Sequence, residues 1–517
     1  MIAVTIMAPA SWLACSPASQ QIDDASASRD ASADSPDQAE LGQASDADAA
    51  DLNAGDAGDG AETEMEGGVS SSPGTLTVDT TCGLEVTAAC PRDHLVDGHC
   101  GLEEAVMALA DQKSEYGCAW SGTIGVDDRI VIPTTGTVSV TTSLRISRAV
   151  TIMSAQPGTL ATIQAPDGSD LFGLDPTDPV TITFRDLHMV GAGQTLPTLS
   201  TGISISGDTP IGVATINVTE CWIERFSNGA IVASDVNLNV ADTTLDGNDN
   251  DFGDGGGAIF YSTGGDAKSQ TDFLTITNSS ITHNHSTKGG ALQIQSNSIS
   301  RITNSTISDN LTEGGHGGGI SFANNAGPLA DGVLQVVEST IAYNGSTEFD
   351  GGGIAVAANQ ELFVDNIDNR LYLVGSIVAN NCLARENPDQ SFVCLSPNDI
   401  AGDIYQLQDS LLGTSALSTI VGSDRGGVGL GGGTLVDVDP GLDPELTDQG
   451  GVGEHHPRVH ALTEGSIAVD ATGAIGSLPG ADAPPRFDQT HQARGFDYPP
   501  VSTKTYDLGA VEKRTPP

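Results

Sequence analysis

Leu274-Thr-Ile-Thr-Asn-Ser-Ser-Ile281-Thr-His-Asn284 returns along the chain with its apolar positions intact. Copies centre on Leu187, Ile223, Leu245, Ile281, Ile307, Ile341 and Ile377, and apolar residues stand five and usually seven positions before each centre, as Leu334 and Val336 do before Ile341. A spacing of two places the earlier pair on one face of a short strand. Asn or Ser-Thr then turns the chain, and a second short strand carries the central Ile. A third strand follows a Gly-Gly pair: Gly256-Gly257 before Ile259, Gly289-Gly290 before Leu292, Gly318-Gly319 before Ile320, Gly352-Gly353 before Ile354. Three short strands per repeat describe one coil of a right-handed parallel β-helix, an all-β, three-sided solenoid.

One such coil cannot bury its own apolar face, so neighbours must stack on it at about 4.8 Å per coil. Inward positions take Ile, Val and Leu, each contributing roughly 1.5 to 3 kcal/mol when fully buried. Turns take Gly, Asn, Asp and Ser, which accounts for 63 glycines in 517 residues. On this pattern Ile307 points inward and Ser308 outward. Loops of unequal length, such as 324–332 and 357–370, leave one corner and are where specificity can reside.

A net charge of −48 argues against nucleic acid or an anionic lipid surface as partner, because nothing basic is clustered enough to offset phosphate repulsion. No run of 18 apolar residues occurs, so no segment reads as a membrane-spanning helix. Residues 1–14 form a short apolar segment ending Trp12-Leu13-Ala14 before Cys15, the outline of an export signal. From 16 to 75 there is no aromatic residue, and 14 Asp and Glu stand against Arg29 alone. This composition cannot bury a core. It reads as a self-repelling tether of roughly 40 Å or more. The expected organisation is a signal at 1–14, tether at 15–75, Cys-rich cap at 76–128, β-helix at 129–400 and a C-terminal region at 401–517 that continues and closes the helix.

In an exported chain, cysteines are disulfide candidates. Cys82, Cys90, Cys100 and Cys118 cluster at the start of the folded part, and Cys382 and Cys394 lie close enough for one loop. Cys221 remains as a free thiol packed as a small side chain. Zinc is the competing reading of the first four, with no Cys-x-x-Cys spacing to support it. The stretch from Cys100 through Leu109 is amphipathic, and a helix there would cover the open edge of the first coil.

The signal before Cys15 resembles that of bacterial lipoproteins, which implies a lipidated Cys15 and a membrane association by lipid anchor only; an ordinary cleaved secretory signal is the alternative. Cys100-Gly-Leu-Glu-Glu-Ala-Val106 resembles the Cys-Ser-Leu-Arg-Glu-Ala-Ile motif at the N-terminal end of many secreted bacterial β-helix proteins, with Gly101 and Glu103 departing from it. Asp439-Pro-Gly-Leu442, Gly450-Gly451, His460-Ala-Leu462, Gly465-Ser466-Ile-Ala-Val-Asp470 and Asp507-Leu-Gly-Ala-Val-Glu512 together resemble the C-terminal part of the choice-of-anchor Q domain, which implies a surface-attached bacterial β-helix protein.

Parallel β-helices include polysaccharide lyases and hydrolases, so the residues must decide about chemistry. A lyase needs a base beside calcium held by carboxylates; a hydrolase needs paired carboxylates. Arg225, Lys288, Arg301 and Arg370 are sparse and do not recur at equivalent repeat positions beside an acidic cluster. The densest acidic stretch runs from Asp246 to Asp254, where Asp246, Asn248, Asp249, Asp251 and Asp254 offer oxygens that suit calcium; a solvated turn is the plainer reading. His283, His285 and His316 fall in neighbouring turns with no carboxylate evident behind them. Asn-x-Ser/Thr sites at Asn217, Asn278, Asn304, Asn310 and Asn344 fit stacked side-chain ladders better than glycans. The expectation is a non-enzymatic surface lipoprotein that presents an elongated β-helix to an extracellular glycan or surface protein, with no catalytic residue and no cofactor except calcium. A carbohydrate-active enzyme and a structural envelope stalk are the alternatives.

Overall fold

Every repeat becomes a coil, and parallel strand pairing stacks each coil on the next. The computed structural model describes residues 72–78 and most of 99–513; Cys15, Cys82, Cys90, Asp251, Asp254 and most of the loops 324–332 and 357–370 lie outside the described residues. The repeat that begins at Leu274 runs through strand Leu274–Thr277, a corner at Asn278, strand Ser280–Thr282, a second corner at His283, then His285–Ser286 and Leu292–Gln295. It rejoins the first sheet at Ile299–Thr303. The two-residue strand is an addition to the three expected. It belongs to a six-stranded sheet that starts at Asp249–Asn250 and ends in the hairpin Cys382–Glu386/Phe392–Pro397. Among the described residues of the earlier coils this strand is not seen.

Register fixes which side chains meet in the core. In the second sheet Ile223, Leu245, Ile281, Ile307, Ile341, Val378 and Leu412 form one column. In the first, Leu238 and Val240 stack on Leu274 and Ile276. All are at most 1% exposed. Two expected centres are displaced. Met189, not Leu187, aligns with Ile223, and Val378, not Ile377, aligns with Ile341. Leu187 instead takes the corner place held by Cys221 in the next coil, and Ile377 points outward.

Ile377 is nevertheless buried, because Leu442, Leu462 and Leu508 pack over it. Continuous stacking in the second sheet ends at strand Leu435–Val436, which pairs with Leu411–Leu412. Beyond it, strands Leu442–Thr447 and Val459–Leu462 pair antiparallel, and the final described segments lie back across the outer face of the second sheet. Thr306 Oγ1 donates to Gln489 Oε1 at 2.7 Å, Gln489 Nε2 donates to Ser279 O at 3.1 Å, and the Ala510 amide donates to Thr340 Oγ1 at 3.1 Å. This covering corrects the expectation for Ser308. It does face away from the apolar column, but it is 0% exposed.

Two ladders hold the corners. At the first, Thr243, Ser279, Ser305, Ser339, Ser376 and Ser410 each accept, through the side-chain oxygen, a hydrogen bond from the backbone amide of the corresponding residue one coil before. Cys221 begins that series. Its thiol donates to Thr219 O at 3.2 Å, and burial pushes its pKa up to about 12, so it packs as a hydroxyl substitute rather than a reactive thiolate. At the second corner Asn248, Asn284, Asn310, Asn344 and Asn381 stack amide on amide, and Asp399 Oδ1 accepts the last two bonds, from Asn381 N and Nδ2. The sequon residues Asn310 and Asn344 are thus committed to a buried ladder. The Gly-Gly pairs follow from the same closeness: a Cβ on Gly290 would sit inside the contact distance of the Gly318 carbonyl.

The helix Leu102–Asp111 sets Leu102, Ala105, Val106, Ala108 and Leu109 into the main core. Glu103 Oε1 accepts from the amides of Thr141 and Thr142 at 2.7 and 3.1 Å, and disulfide Cys100–Cys118 ties the start of the helix down. The first strand, Thr75–Thr77, pairs with Arg129–Val131, so the last residue assigned to the tether is part of a strand. Cys382–Cys394 closes the hairpin as expected.

Candidate functional site

One position before each ladder asparagine, and before Phe226 at the same place one coil earlier, the backbone enters the left-handed region, and there any side chain points out of the coil. In successive coils this position holds Arg225 (φ 61°), Gly247 (φ 62°), His283 (φ 53°), Asp309 (φ 56°), Tyr343 (φ 58°) and Asn380 (φ 62°). A left-handed backbone at a residue other than glycine costs about 1 to 2 kcal/mol, more readily accepted by Asn and Asp than by His or Tyr. The ladder and the strand register on either side enforce it. What results is a line of chemically varied side chains, one per coil.

His283 Nδ1 lies 2.8 Å from Asp246 Oδ1, which also accepts from Thr282 Oγ1 at 2.8 Å. That hydrogen bond raises the His283 pKa despite partial burial. Burial pushes Asp246 up, but the bonds from His283 and Thr282 outweigh it and leave the carboxyl below its ordinary range. His285 Nδ1 similarly meets Asp249 Oδ1 at 3.2 Å. Carboxylates therefore stand behind both histidines, supplied by the preceding coil, which sequence distance had hidden.

Asp309 is pushed up by burial, against the pull of His460 and His283. His460, 2% exposed, comes from the strand Val459–Leu462; its Nε2 is 3.9 Å from Asp309 Oδ2, and burial pushes its pKa down. The Tyr343 ring lies 4.8 Å from the His460 ring, its hydroxyl donates to Leu442 O at 3.3 Å, and Asn380 Nδ2 donates to that hydroxyl at 3.2 Å. The line then runs into a cleft of about 800 Å³ lined by Tyr343, Asn380, Leu395, Asp399, Asp437 and Asp439, among others. Leu395, on the disulfide-closed hairpin, is 59% exposed. Burial pushes Asp399 up to about 6 although Asn381 and Thr414 donate to it.

Of the expected calcium residues, Asp251 and Asp254 lie outside the described residues, and the other three bond to different partners. Asn248 spends its amide on Ile223 O at 3.0 Å and Asn284 Oδ1 at 3.0 Å while its oxygen accepts from the Phe226 amide at 3.1 Å, so the ladder withdraws it from a ligand role. Asp246 and Asp249 each face a histidine. Among the described residues no group of three or more His, Cys, Asp or Glu is placed to hold a metal ion. Sequence reasoning missed Tyr343, Asn380, Asp399, Asp437, Asp439 and His460. A usable signal was present: in Ile281-Thr-His283-Asn284, Ile307-Ser-Asp309-Asn310 and Ile341-Ala-Tyr343-Asn344 the residue before the recurring Asn is the one that changes.

No family model and no curated protein matches the chain. Among solved structures, a chain of the Dettilon tailspike protein is similar, 9% identical over 67% of each chain with a TM-score of 0.31. The strand register, in which parallel neighbours recur coil after coil, is what makes this chain a parallel β-helix.

Proposed function

We propose that the protein is an exported, non-enzymatic β-helix that binds an extended glycan along the line from His283 through Asp309, Tyr343 and Asn380 and into the cleft beyond. The observation that carries this reading is the line itself. Hydrogen-bonding side chains recur at about the coil spacing of 4.8 Å, a period on which an elongated polymer can be read unit by unit, and they end in an open cleft with an aliphatic wall. The N-terminal segment fits the same reading: a lipid on Cys15 and the acidic tether would hold the β-helix clear of a bacterial outer envelope.

The test is retention of the purified chain on a polysaccharide panel, with reducing-end and unsaturated-sugar release assayed in parallel. Tyr343→Ala is expected to weaken retention about tenfold or more, as for a central aromatic contact, with no sugar released by either form. A second reading, a polysaccharide-cleaving enzyme, rests on Asp399, whose raised carboxyl lines the cleft with Asp437 and Asp439. Sugar release that Asp399→Asn abolishes would put that reading in place of binding. For the anchor, native protein should partition into detergent and Cys15→Ser should not; native protein confined to the aqueous phase rejects it.

A further inference from the structure

The Asp443–Pro444 peptide bond sits in an unusual setting that the glycan reading leaves unused. Strand Leu442–Thr447 pairs with Val459–Leu462 so that Leu442 opposes Leu462 and Leu446 opposes His460. Residues 443 to 445 therefore face Ala461 alone and bulge out of the ladder. At the base of the bulge, His460 Nδ1 is 2.8 Å from the Asp443 carbonyl oxygen. A carbonyl only accepts, so Nδ1 carries the proton. The ring is 2% exposed. It is held between Asp309 Oδ2, 3.9 Å from Nε2, and the face of Tyr343. Asp443 Oδ1 accepts from the Glu445 amide at 3.0 Å, folding the carboxyl back over its own backbone, while Pro444 is exposed.

We propose that the chain cleaves itself at Asp443–Pro444. A carboxyl oxygen of Asp443 bonds to the carbonyl carbon of the same residue and closes a five-membered anhydride. The bond from that carbon to the Pro444 nitrogen breaks, its electron pair stays on nitrogen, and the carboxyl proton reaches this nitrogen through solvent. Water then opens the anhydride. One water is consumed, and the products are a chain ending at Asp443 and a chain beginning with the secondary amine of Pro444. His460 stabilises the charge that develops on the carbonyl oxygen, as a fixed donor in a water-poor setting does. The groups facing His460 are Asp309 and, beyond it, His283 from the coils, Tyr343 from its ring face, and Asp443 from the hairpin.

The experiment incubates the full chain at mildly acidic pH and follows fragments by denaturing electrophoresis, intact mass and N-terminal sequencing. The expected product starts at Pro444. Asp175–Pro176, Asp178–Pro179 and Asp439–Pro440 are internal controls for ordinary acid lability, because the His460 bond is made to the Asp443 carbonyl. Pro444→Ala and Asp443→Asn, both in the bulge, are expected to stop the cleavage, and His460→Phe to slow it about 100-fold. An intact chain, or equal breakage at the four Asp–Pro bonds, overturns the proposal. So does undiminished cleavage in Pro444→Ala, which stays informative if His460→Phe does not fold.

Discussion

Asp309 and Asn310 are neighbours on one coil and answer to different constraints. Asn310 has the same residue above and below it, and its amide gives to Ile281 O, Ser308 O and Asn344 Oδ1 while its oxygen takes from Asn284. Asp309 occupies a position held in turn by Gly, His, Tyr and Asn. A side chain that bonds along the stack must repeat, because each coil supplies the partner of the next. Its outward neighbour bonds nothing along the stack by necessity and can vary. The other corner has the same pair of columns: the hydroxyl ladder, and beside it Asp186, Glu220, Asp242, Asn278, Asn304 and Glu338, all left-handed. That second outward column has been used for attachment. His491 Nε2 lies 3.0 Å from Asp242 Oδ1, and Arg494 reaches Asn304 at 2.6 Å and Glu338 at 2.8 Å. One variable column thus holds the C-terminal segment, and the other leads to the cleft.

The comparison breaks most severely if the core column tolerates charge. Ile307→Asp places an unpaired carboxylate at a 0% exposed position between Ile281 and Ile341, with an expected loss of 4 kcal/mol or more, on the order of the cost of a buried unpaired charge. Asp309→Asn, two residues on, keeps the side chain's shape at an outward, 30% exposed position and is expected to cost about 1 kcal/mol or less. Chemical denaturation of both variants decides, and equal losses would dissolve the inside/outside assignment.

Next in size is the attachment column. Glu338 and Arg494 have fully buried side chains 2.8 Å apart. Breaking such a pair from one side costs about 3 to 5 kcal/mol, whereas replacing both partners with apolar groups is often neutral. Glu338→Leu alone should therefore destabilise, and Glu338→Leu with Arg494→Met should recover most of the loss. Burial pushes Glu338 up to about 7 from 4.5, with Arg494 pulling the other way. For a raised acid the stabilising contribution is full below pH 4.5 and is lost as pH rises through about 7. Wild-type stability should fall across that window and the double variant should not; thermal melts at several pH values measure it.

The ladder comes third. Asn310→Ala takes the side-chain partner from the Asn284 backbone amide and from the Ile281 carbonyl, an expected loss of about 2 to 3 kcal/mol. A loss no larger than that of Asp309→Asn would mean that the recurring Asn is a turn preference and not a ladder.

Much of this was legible in the repeat. Alternation at Leu238 and Val240, the Gly-Gly pairs and the recurring Ile gave the coils, because strand period and turn chemistry are local. Leu187 and Ile377 were misaligned, since a one- or two-residue shift keeps an apolar residue near the expected place and only pairing with the next coil reveals it. Ser308 and Arg494 were illegible for another reason: 186 residues separate them in the chain, and no local pattern says that the C-terminal segment will lie on the second sheet. The site suffered most. His283 finds Asp246 across 37 residues, and Tyr343 meets His460 only because the terminal hairpin folds back.

The smallest expected effect sharpens the comparison best, since it separates stability from recognition in one residue. His283 is 50% exposed in its side chain and Asp246 20%, so their pair should contribute under about 1 kcal/mol. His283 is raised by Asp246, so its share of stability is full below pH 6.5 and disappears as pH rises past its shifted value. Asp246 is lowered, so its share holds above pH 3.8 and disappears as pH falls through its shifted value. The pair should therefore matter most between these limits: His283→Asn is expected to lower the melting temperature by about 1 to 2 °C near pH 5 and not at all near pH 9. If the outward column serves recognition, the same substitution should weaken glycan retention by far more than so small a change in stability can explain. A loss of retention that merely tracks the melting temperature would make this column a second scaffold, built of varied side chains by drift, and would leave the cleft beside Tyr343 as the place where binding resides.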